Sequence, residues 1–199
     1  MSVDFYDRNA EAFFSSTVGL DMRPIRARFS RYLPAGARVL DAGCGSGRDA
    51  LAFRQAGYVV TAFDASAQLV RLARDYTGLP VEVLRFADLA WDAQFDGIWA
   101  SASLLHVPRL ELPGVFAALA RALRPAGVLY ISMKRGRHDR EVEGRLFVDV
   151  DEQELAGLLK GASLTIADAW VSQSVRPERA DERWVNAIAR KRPAAERCT

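Results

Sequence analysis

An acidic residue and three alternate glycines stand between an apolar segment and a helical pattern. Asp41 follows residues that can end a buried parallel strand, and Gly43, Gly45 and Gly47 come directly after it. The carboxyl end of such a strand is where α/β proteins bind ligands. Glycine has no Cβ, so the backbone can turn sharply there and approach a ligand closely. The pattern therefore predicts a cradle for a nucleoside-bearing cofactor.

The spacing of the glycines separates two classes of cofactor. A dinucleotide fingerprint has the form G-x-G-x-x-G, and its third glycine would fall at the position of Arg48. In this chain the third glycine comes earlier, at Gly47. Asp41 also argues against a dinucleotide, because a carboxylate repels a pyrophosphate but accepts hydrogen bonds from an ammonium group. The loop is therefore expected to bind a cofactor that carries an amino acid.

The form D-x-G-x-G-x-G resembles motif I of the class I S-adenosylmethionine-dependent methyltransferases. This resemblance implies that S-adenosylmethionine is the cofactor and S-adenosylhomocysteine the product. The residues of the motif that it places against the cofactor are Asp41, Gly43, Cys44, Gly45, Gly47 and Arg48.

A second acidic residue follows at the expected interval. Residues 61–66 are interpreted as a strand that ends at Asp64, close to the roughly 20-residue interval at which nucleoside-binding folds place a carboxylate for ribose hydroxyls. Ala65 is assigned to the same contact. Taken alone, Asp64 can also be a carboxylate at the start of a helix next to Ser66, and that alternative stays open.

Two further strand ends are expected at the same edge. Residues 81–86 predict a third strand, and the resemblance implies that Asp88, between Ala87 and Leu89, accepts from the adenine amino group. Residues 95–100 predict a fourth strand, after which Ser101 lies where the backbone of the family passes the methionine part of the cofactor. Asp88 as a loop acid and Asp96 as a strand-start residue are the structural alternatives.

The resemblance also implies the reaction, an in-line displacement at a methyl carbon that a sulfonium already activates. The protein then chiefly aligns the acceptor and excludes water. His106 follows the fourth strand and can orient or deprotonate an acceptor; a packing histidine is the alternative. Tyr6, with Phe13 and Phe14, lies on an N-terminal segment that covers the cofactor in similar enzymes. Tyr6 is the second catalytic candidate, and a moving lid and a fixed cap both stay open for this segment.

The elements that must position these residues alternate between helix and strand and predict a single domain over residues 1–199. Residues 1–35 predict a helical cap, 36–191 the core and 192–199 a disordered tail. The resemblance implies an α/β fold, a Rossmann-like three-layer sandwich. Its seven-stranded, mostly parallel sheet would have the order 3-2-1-4-5-7-6, with strand 7 antiparallel.

Periodicity and capping signals give the helix positions, which are residues 5–16, 21–33, 66–76 and 112–123. Ser46 and Asp49 have the spacing of a capping box at the helix after the glycine loop. The charged segment KRGRHDREVE, residues 134–143, follows the fifth strand and predicts an exposed loop. Its basic residues alternate with acids, so we interpret them as solvated, with binding of an anionic substrate as the alternative; they are Lys134, Arg135, Arg137 and Arg140.

Composition limits the class of protein. The chain has 199 residues, of which 50% are hydrophobic, and this suits one well-buried domain. The formal net charge of +2 creates no field that would attract nucleic acid, so no such partner is expected. Cys44 and Cys198 have neither disulfide nor metal spacing, and no metal is expected. No signal-peptide or membrane-span pattern is present. We expect a cytoplasmic monomer or homodimer.

The methyl acceptor is less defined by the sequence. Residues 101–105 read SASLL, where amino-methylating DNA enzymes of the family carry an N-P-P-Y-like tetrad, so nucleobase methylation by that route is disfavoured. The short cap and the sequence GRD at residues 47–49 look like compact methyltransferases related to tellurite-resistance proteins and to small-molecule methylators. A small-molecule methyltransferase is the leading hypothesis. An RNA or protein methyltransferase and a non-catalytic cofactor-binding partner subunit stay open.

Overall fold

The computed structural model describes residues 2–192, and its frame is a seven-stranded sheet. Most of the predicted tail, residues 193–199, lies outside the described residues. The strands of the sheet are β1 (Arg38–Ala42), β2 (Val59–Asp64), β3 (Glu82–Val83), β4 (Phe95–Ser101), β5 (Leu123–Lys134), β8 (Leu164–Gln173) and β9 (Arg183–Lys191). A separate hairpin consists of β6 (Asp139–Val142) and β7 (Arg145–Val148).

The order of strands in the sheet is β3-β2-β1-β4-β5-β9-β8. The first five are parallel to one another, whereas β9 runs antiparallel to both of its neighbours, β5 and β8. Counted along the chain within this sheet, β8 is the sixth strand and β9 the seventh. The predicted order 3-2-1-4-5-7-6, with an antiparallel seventh strand, is confirmed.

Helices cover both faces of the sheet and complete the predicted three layers. They are α1 (Ser2–Arg8), α2 (Ala10–Thr17), α3 (Arg23–Ser30), α4 (Arg48–Gln55), α5 (Ala67–Thr77), α6 (Leu112–Ala122) and α7 (Glu152–Gly161). On one face Phe29 of α3 and Phe53 of α4 pack against Trp99 of β4. On the other, Phe116 of α6 and Leu155 of α7 belong to the larger apolar core. Among residues 2–192, every helix is too short or too polar to traverse a bilayer.

Several element bounds differ from the sequence-based predictions. The expected helix over residues 5–16 is two helices, because the backbone leaves helical geometry at Asn9. The expected strand over residues 81–86 is only the two-residue β3 and is followed by a 3₁₀ turn, Phe86–Asp88. This turn carries the ring of Phe86 edge-on against Phe63, with centroids 5.2 Å apart. Aromatic packing therefore overrides the β pattern there.

The charged segment predicted as an exposed loop is an ordered hairpin instead. Glu143 and Gly144 connect β6 to β7 with φ of 52° and 74°. Two central residues with positive φ form the turn that suits a two-residue hairpin. Arg140 is held by the carboxylate of Asp149, with Nε to Oδ2 at 2.9 Å. Residues 134–143 have no alternating apolar pattern from which a strand could be predicted. A local ion pair and the turn are the features that accompany the hairpin instead.

Candidate active site

A cavity of about 630 Å³ opens at the carboxyl ends of the central parallel strands. It lies between β1 and β4, where the strand order reverses, which is the usual ligand position in open α/β sheets. Residues of α1 and α2 line the opposite side, so the cavity lies between the sheet and the N-terminal helices. Its volume is in the range of small-molecule sites.

The glycine loop after β1 forms the floor of the cavity, and its geometry requires glycine. Gly43 and Gly47 both have φ of +75°. A Cβ at Gly43 would lie 2.5 Å from Cβ of Ser103, and one at Gly47 would lie 2.7 Å from Cγ2 of Thr77. Cys44 is a free thiol in the same loop and lines the cavity, and burial raises its pKa well above the usual value. The loop can therefore approach a ligand with its backbone at Gly43 and Gly45, which line the cavity, whereas Gly47, predicted to contact the cofactor, lies outside the lining and packs against α5.

Asp41 places an uncompensated carboxylate beside this loop. Its side chain is buried, it lines the cavity, and its Oδ2 has no hydrogen-bond partner among the described residues. Burial, followed by the nearby Asp49, raises the pKa of Asp41 well above its ordinary value. The hydroxyl of Ser103 is buried in the same lining and is also unpartnered. Two oxygens thus lack the donor that a bound ligand would supply.

The predicted capping box at the start of α4 is not formed. Gly47, in left-handed geometry, is the N-terminal flanking residue, and neither it nor Ser46 caps the helix with a side chain. Asp49 is buried and accepts instead from Arg26, Arg48 and Trp99, at 2.5, 2.6 and 3.1 Å. Arg48 lines the cavity but is committed to Asp49 and to the carbonyl of Thr17. These contacts fix α4 and the loop against the sheet.

Asp64 at the end of β2 holds the glycine loop from the other side. Its Oδ2 accepts from the Gly45 amide at 2.9 Å, and its Oδ1 accepts from the Ser66 amide at 3.0 Å. Burial raises its pKa, and these amide donors oppose that shift. Asp64 and Ala65 both line the cavity. Each carboxylate oxygen keeps a second lone pair with which it can accept from a ligand.

The segment after β3 contributes fewer residues to the cavity lining than the sequence predicts. Ala87 lines the cavity beside Phe86, but Asp88 is exposed and Leu89 is buried in the apolar core, and neither belongs to the lining. The short 3₁₀ turn carries Asp88 away from the cavity. Ser101, at the end of β4, does line it. An adenine contact through Asp88 stays a prediction without support from this placement.

His106 and Tyr6 form a hydrogen-bonded pair in the cavity wall. The Tyr6 hydroxyl lies 2.7 Å from Nε2 of His106, and Nδ1 lies 2.6 Å from the carbonyl oxygen of Leu146. A carbonyl only accepts, so Nδ1 carries the hydrogen, and Nε2 accepts from the tyrosine. Burial lowers the pKa of His106 to about 4, and the positive charges of Arg145 and Lys134 act in the same direction. The imidazole is therefore neutral at pH 7.

The sequence analysis missed cationic residues that the fold brings into the same cavity. Arg145 of β7 and Arg176 and Arg179 of the β8–β9 connection line it together with Lys134 at the end of β5. Of the basic cluster identified in the sequence, only Lys134 reaches the cavity, whereas Arg135 pairs with Glu152. Only the position of Lys134 after a predicted strand could have signalled this. The other three depend on the hairpin and on the antiparallel end of the sheet.

Comparison with known proteins agrees with the fold and the loop. A ubiquinone biosynthesis O-methyltransferase of Xanthomonas axonopodis pv. citri is 36% identical over 120 residues, which are 56% of this chain and 49% of the relative. The chain therefore spans about half the length of the curated relatives it matches. A methyltransferase of Methanosarcina mazei shares the fold at 22% identity and a TM-score of 0.76, over 88% of this chain and 100% of that chain.

A third similar protein has been solved with ligands. The 1,6-didemethyltoxoflavin-N1-methyltransferase of Burkholderia thailandensis, with 1,6-didemethyltoxoflavin and S-adenosylhomocysteine bound, is 28% identical, with a TM-score of 0.77 over 96% of this chain and 85% of that chain. A family model described as a methyltransferase domain matches residues 14–169. With the strand order and the glycine loop described above, this match shows that the chain belongs to the class I S-adenosylmethionine-dependent methyltransferases.

Proposed function

We propose that the protein transfers a methyl group from S-adenosylmethionine to a small organic molecule. The observation that carries this proposal is the buried Asp41, which lines the cavity beside the glycine loop and whose Oδ2 has no hydrogen-bond partner among the described residues. An ammonium group at this point would satisfy the oxygen and compensate its charge. S-Adenosylmethionine combines such an ammonium with a nucleoside, and the residues present fit both parts.

The remaining cofactor contacts follow from the order of the strand ends. The loop Gly43–Cys44–Gly45 would meet the cofactor with its backbone, and Asp64 would accept from ribose hydroxyls with its free lone pairs. Ala87 would lie against the base, and Ser101 would lie beside the methionine part. When bound, the cofactor supplies a methyl carbon that its sulfonium already activates, so the protein has little acid-base chemistry to perform.

We assign the alignment of the acceptor to the Tyr6–His106 pair. Nε2 of the neutral His106 accepts from the Tyr6 hydroxyl, so the oxygen of Tyr6 is the free acceptor of the pair. This oxygen can accept a hydrogen bond or a proton from an acceptor hydroxyl or amine while the proton of Tyr6 passes to Nε2. The carbonyl of Leu146 fixes the ring and the tautomer. Tyr6 lies on α1, so the pair is complete only while the N-terminal segment covers the cavity.

A small acceptor is favoured over a macromolecular one by the shape of the site. The cavity is covered by α1 and α2, whose tethers include the hydrogen bond from Ser66 Oγ to Asp7 at 2.6 Å. A protein or RNA substrate would need a wide open face. The two relatives named above are an O-methyltransferase of ubiquinone biosynthesis and an N1-methyltransferase of 1,6-didemethyltoxoflavin, both with small-molecule names. The non-catalytic alternative leaves the Tyr6–His106 geometry without a role.

The first prediction tests the cofactor. S-Adenosylmethionine and S-adenosylhomocysteine are expected to bind in the micromolar range, on the order of 8 kcal/mol, because Asp41 and Asp64 complement an ammonium and a ribose. Isothermal titration calorimetry measures this, with a nicotinamide dinucleotide as the matched control. Binding of the dinucleotide alone would show that the interpretation of the glycine spacing is wrong. Turnover of methyl-labelled cofactor against metabolite, RNA and protein pools then separates the three functional alternatives.

The second prediction concerns Asp64. Replacement Asp64→Ala is expected to weaken cofactor binding by about 1 to 3 kcal/mol, because ribose hydroxyls lose a charged acceptor and the Gly45 amide loses its partner. Asp88→Ala is the comparison, since Asp88 lies outside the cavity lining, and little change is expected. Calorimetric titration of both folded variants decides between these residues. Equal losses in the two variants would restore the adenine role of Asp88.

The other properties inferred from the sequence stay predictions. They are a single domain, a cytoplasmic location, a monomeric or homodimeric state and the absence of a nucleic-acid partner.

A further inference from the structure

The charged residues that line the cavity divide into an acidic part and a basic part. Asp41 and Asp64 lie at the ends of β1 and β2, and neither forms an ion pair among residues 2–192. At the β5 and β9 end, four cations line the cavity, and we call them the basic wall: Lys134, Arg145, Arg176 and Arg179. The acidic part suits a cationic cofactor. The basic wall faces the remaining space, where an acceptor would bind.

The basic wall keeps an excess of positive charge inside the cavity. Its acidic partners are Glu182, Glu143 and Glu178, and of these only Glu182 lines the cavity. The side chains of Glu143 and Glu178 are 68% and 63% exposed, so water screens them. Of the other charged residues in the lining, Asp49 pairs with Arg48, and Asp4 lies near Arg85. Glu111 also lines the cavity.

Arg145 is the member of the basic wall with a donor to spare. Its side chain is only 12% exposed, and its Nη2 donates to Glu143 at 2.7 Å. Its buried Nε has no hydrogen-bond partner among the described residues. The guanidinium lies 4.0 Å from the centroid of the Phe5 ring and 5.2 Å from that of Phe147. A buried, charged donor without an acceptor is costly, and an anionic group in the cavity would satisfy it.

Aromatic rings surround the space next to Arg145. The ring of His106 lies edge-on between those of Tyr6 and Phe147, with centroid separations of 5.3 and 4.9 Å. Trp184 also lines the cavity, and its ring centroid is 5.8 Å from Nζ of Lys134. Aromatic side chains in the lining can pack against a planar ligand.

We infer that the methyl acceptor is a planar aromatic carboxylate, whose carboxylate accepts from the guanidinium of Arg145 and whose ring packs against Phe147 and Tyr6, all three of which line the cavity. Lys134 adds positive charge on the same side. The carboxylate is the anchor, and a second polar group on the ring faces the Tyr6–His106 pair and receives the methyl group. This inference rests on the proposed methyltransferase function and specifies its substrate class.

The test compares 4-hydroxybenzoate with 4-hydroxybenzamide, which has the same shape without the charge. Each is titrated calorimetrically into protein saturated with S-adenosylhomocysteine. We expect the carboxylate to bind at least about 10-fold more tightly than the amide, and Arg145→Gln to remove about 10-fold of its affinity. Arg145→Lys, which keeps the charge, should retain part of the affinity. Arg137→Gln, which changes a nearby arginine that is paired with Asp151 outside the cavity lining, should behave as wild type.

Three results would overturn the inference. They are equal binding of carboxylate and amide, equal effects of Arg145→Gln and Arg137→Gln, and no carboxylate binding by protein that does bind S-adenosylhomocysteine. Each variant is also titrated with S-adenosylhomocysteine, whose affinity should not change, so that a misfolded variant is recognised. If S-adenosylhomocysteine itself does not bind to the wild type, it is the proposed function that fails.

Discussion

Deletion of residues 1–16 is expected to abolish methyl transfer while the sheet stays folded. No residue of α1 is buried, Ala10 is the only buried residue of α2 that the deletion removes, and the strands of the core begin only at Arg38. Thr17, whose carbonyl accepts from Arg48, is retained in this truncation. The deletion removes Tyr6 from His106 and opens the cavity to water, so turnover should fall by at least about 100-fold.

Turnover of methyl-labelled cofactor measures the loss of methyl transfer, and a thermal melt shows whether the truncated protein stays folded. The matched control is Glu11→Gln, which breaks only the exposed ion pair with Arg71 and should keep full activity. Hydrogen exchange should show residues 2–17 protected mainly when S-adenosylhomocysteine is bound. A truncated protein that unfolds, together with protection in the free protein, would mean that the segment is permanent core and not a lid.

Replacement Asp41→Asn is expected to have opposite effects on cofactor binding and on stability. The amide is nearly isosteric but carries no charge, so the ammonium group of the cofactor loses its partner. S-Adenosylmethionine should bind about 2 to 3 kcal/mol more weakly, or roughly 30- to 150-fold. Without cofactor the folded variant should gain stability, because it no longer buries an uncompensated carboxylate next to Asp49.

The gain in stability should depend on pH, and its sign follows from the pKa. Burial and the neighbouring Asp49 raise the pKa of Asp41 in the folded protein, whereas the unfolded chain titrates near the ordinary value of about 4. The folded form then holds the proton more tightly, so stability falls as the pH rises from about 4 through the raised pKa. Asp41→Asn cannot titrate, and this loss should disappear.

Melting curves of cofactor-free protein from pH 4 to 8 test the gain in stability of Asp41→Asn and its dependence on pH. Near pH 8 the variant should melt about 2 to 4 °C or more above wild type, and near pH 4 the difference should vanish. Asp96→Asn is the control, since Asp96 binds Arg124 and the Arg38 amide far from the cavity lining. Wild-type affinity for S-adenosylmethionine in Asp41→Asn would show that Asp41 does not anchor the cofactor.

The cofactor half of the site could be predicted from the sequence because its geometry is local. The glycine loop joins one strand to the helix that follows it, so the spacing of Gly43, Gly45 and Gly47 alone limits what fits. Parallel strands also bring their carboxyl ends to one edge, and this placed Asp64 beside the loop. Local capping is seen at two other helices, where the side chains of Ser66 and Asp151 accept from the backbone amides of Leu69 and Glu154.

The side of the cavity that we assign to the acceptor could be predicted only in part. His106 and Tyr6 were candidates from the sequence, but their pairing and the position of Arg145 depend on distant contacts. His106, Tyr6 and Leu146 are joined by two hydrogen bonds across 100 and 40 positions of the chain. Arg145 reaches the cavity because β7 folds back in a hairpin, which is stabilised by its turn and by burial of Phe147 and Val148 in the core. At Asp49 the capping spacing was misleading, because buried contacts to Arg26 and Trp99 stabilise that carboxylate more than a helix end would.

The hairpin β6–β7 has a consequence for how proteins of this design can diversify. The carbonyl of Leu146 accepts a hydrogen bond from Nδ1 of His106, and the amide of Leu146 donates one to Ser2 Oγ. The backbone of this single residue therefore holds both the imidazole and α1. Yet the hairpin pairs only with itself and lies outside the seven-stranded sheet that carries the glycine loop. Phe147 and Val148 nevertheless belong to the apolar core, so only the other residues of this hairpin can be exchanged without changing that core. We expect such exchanges to change which acceptor is bound while the glycine loop stays as it is.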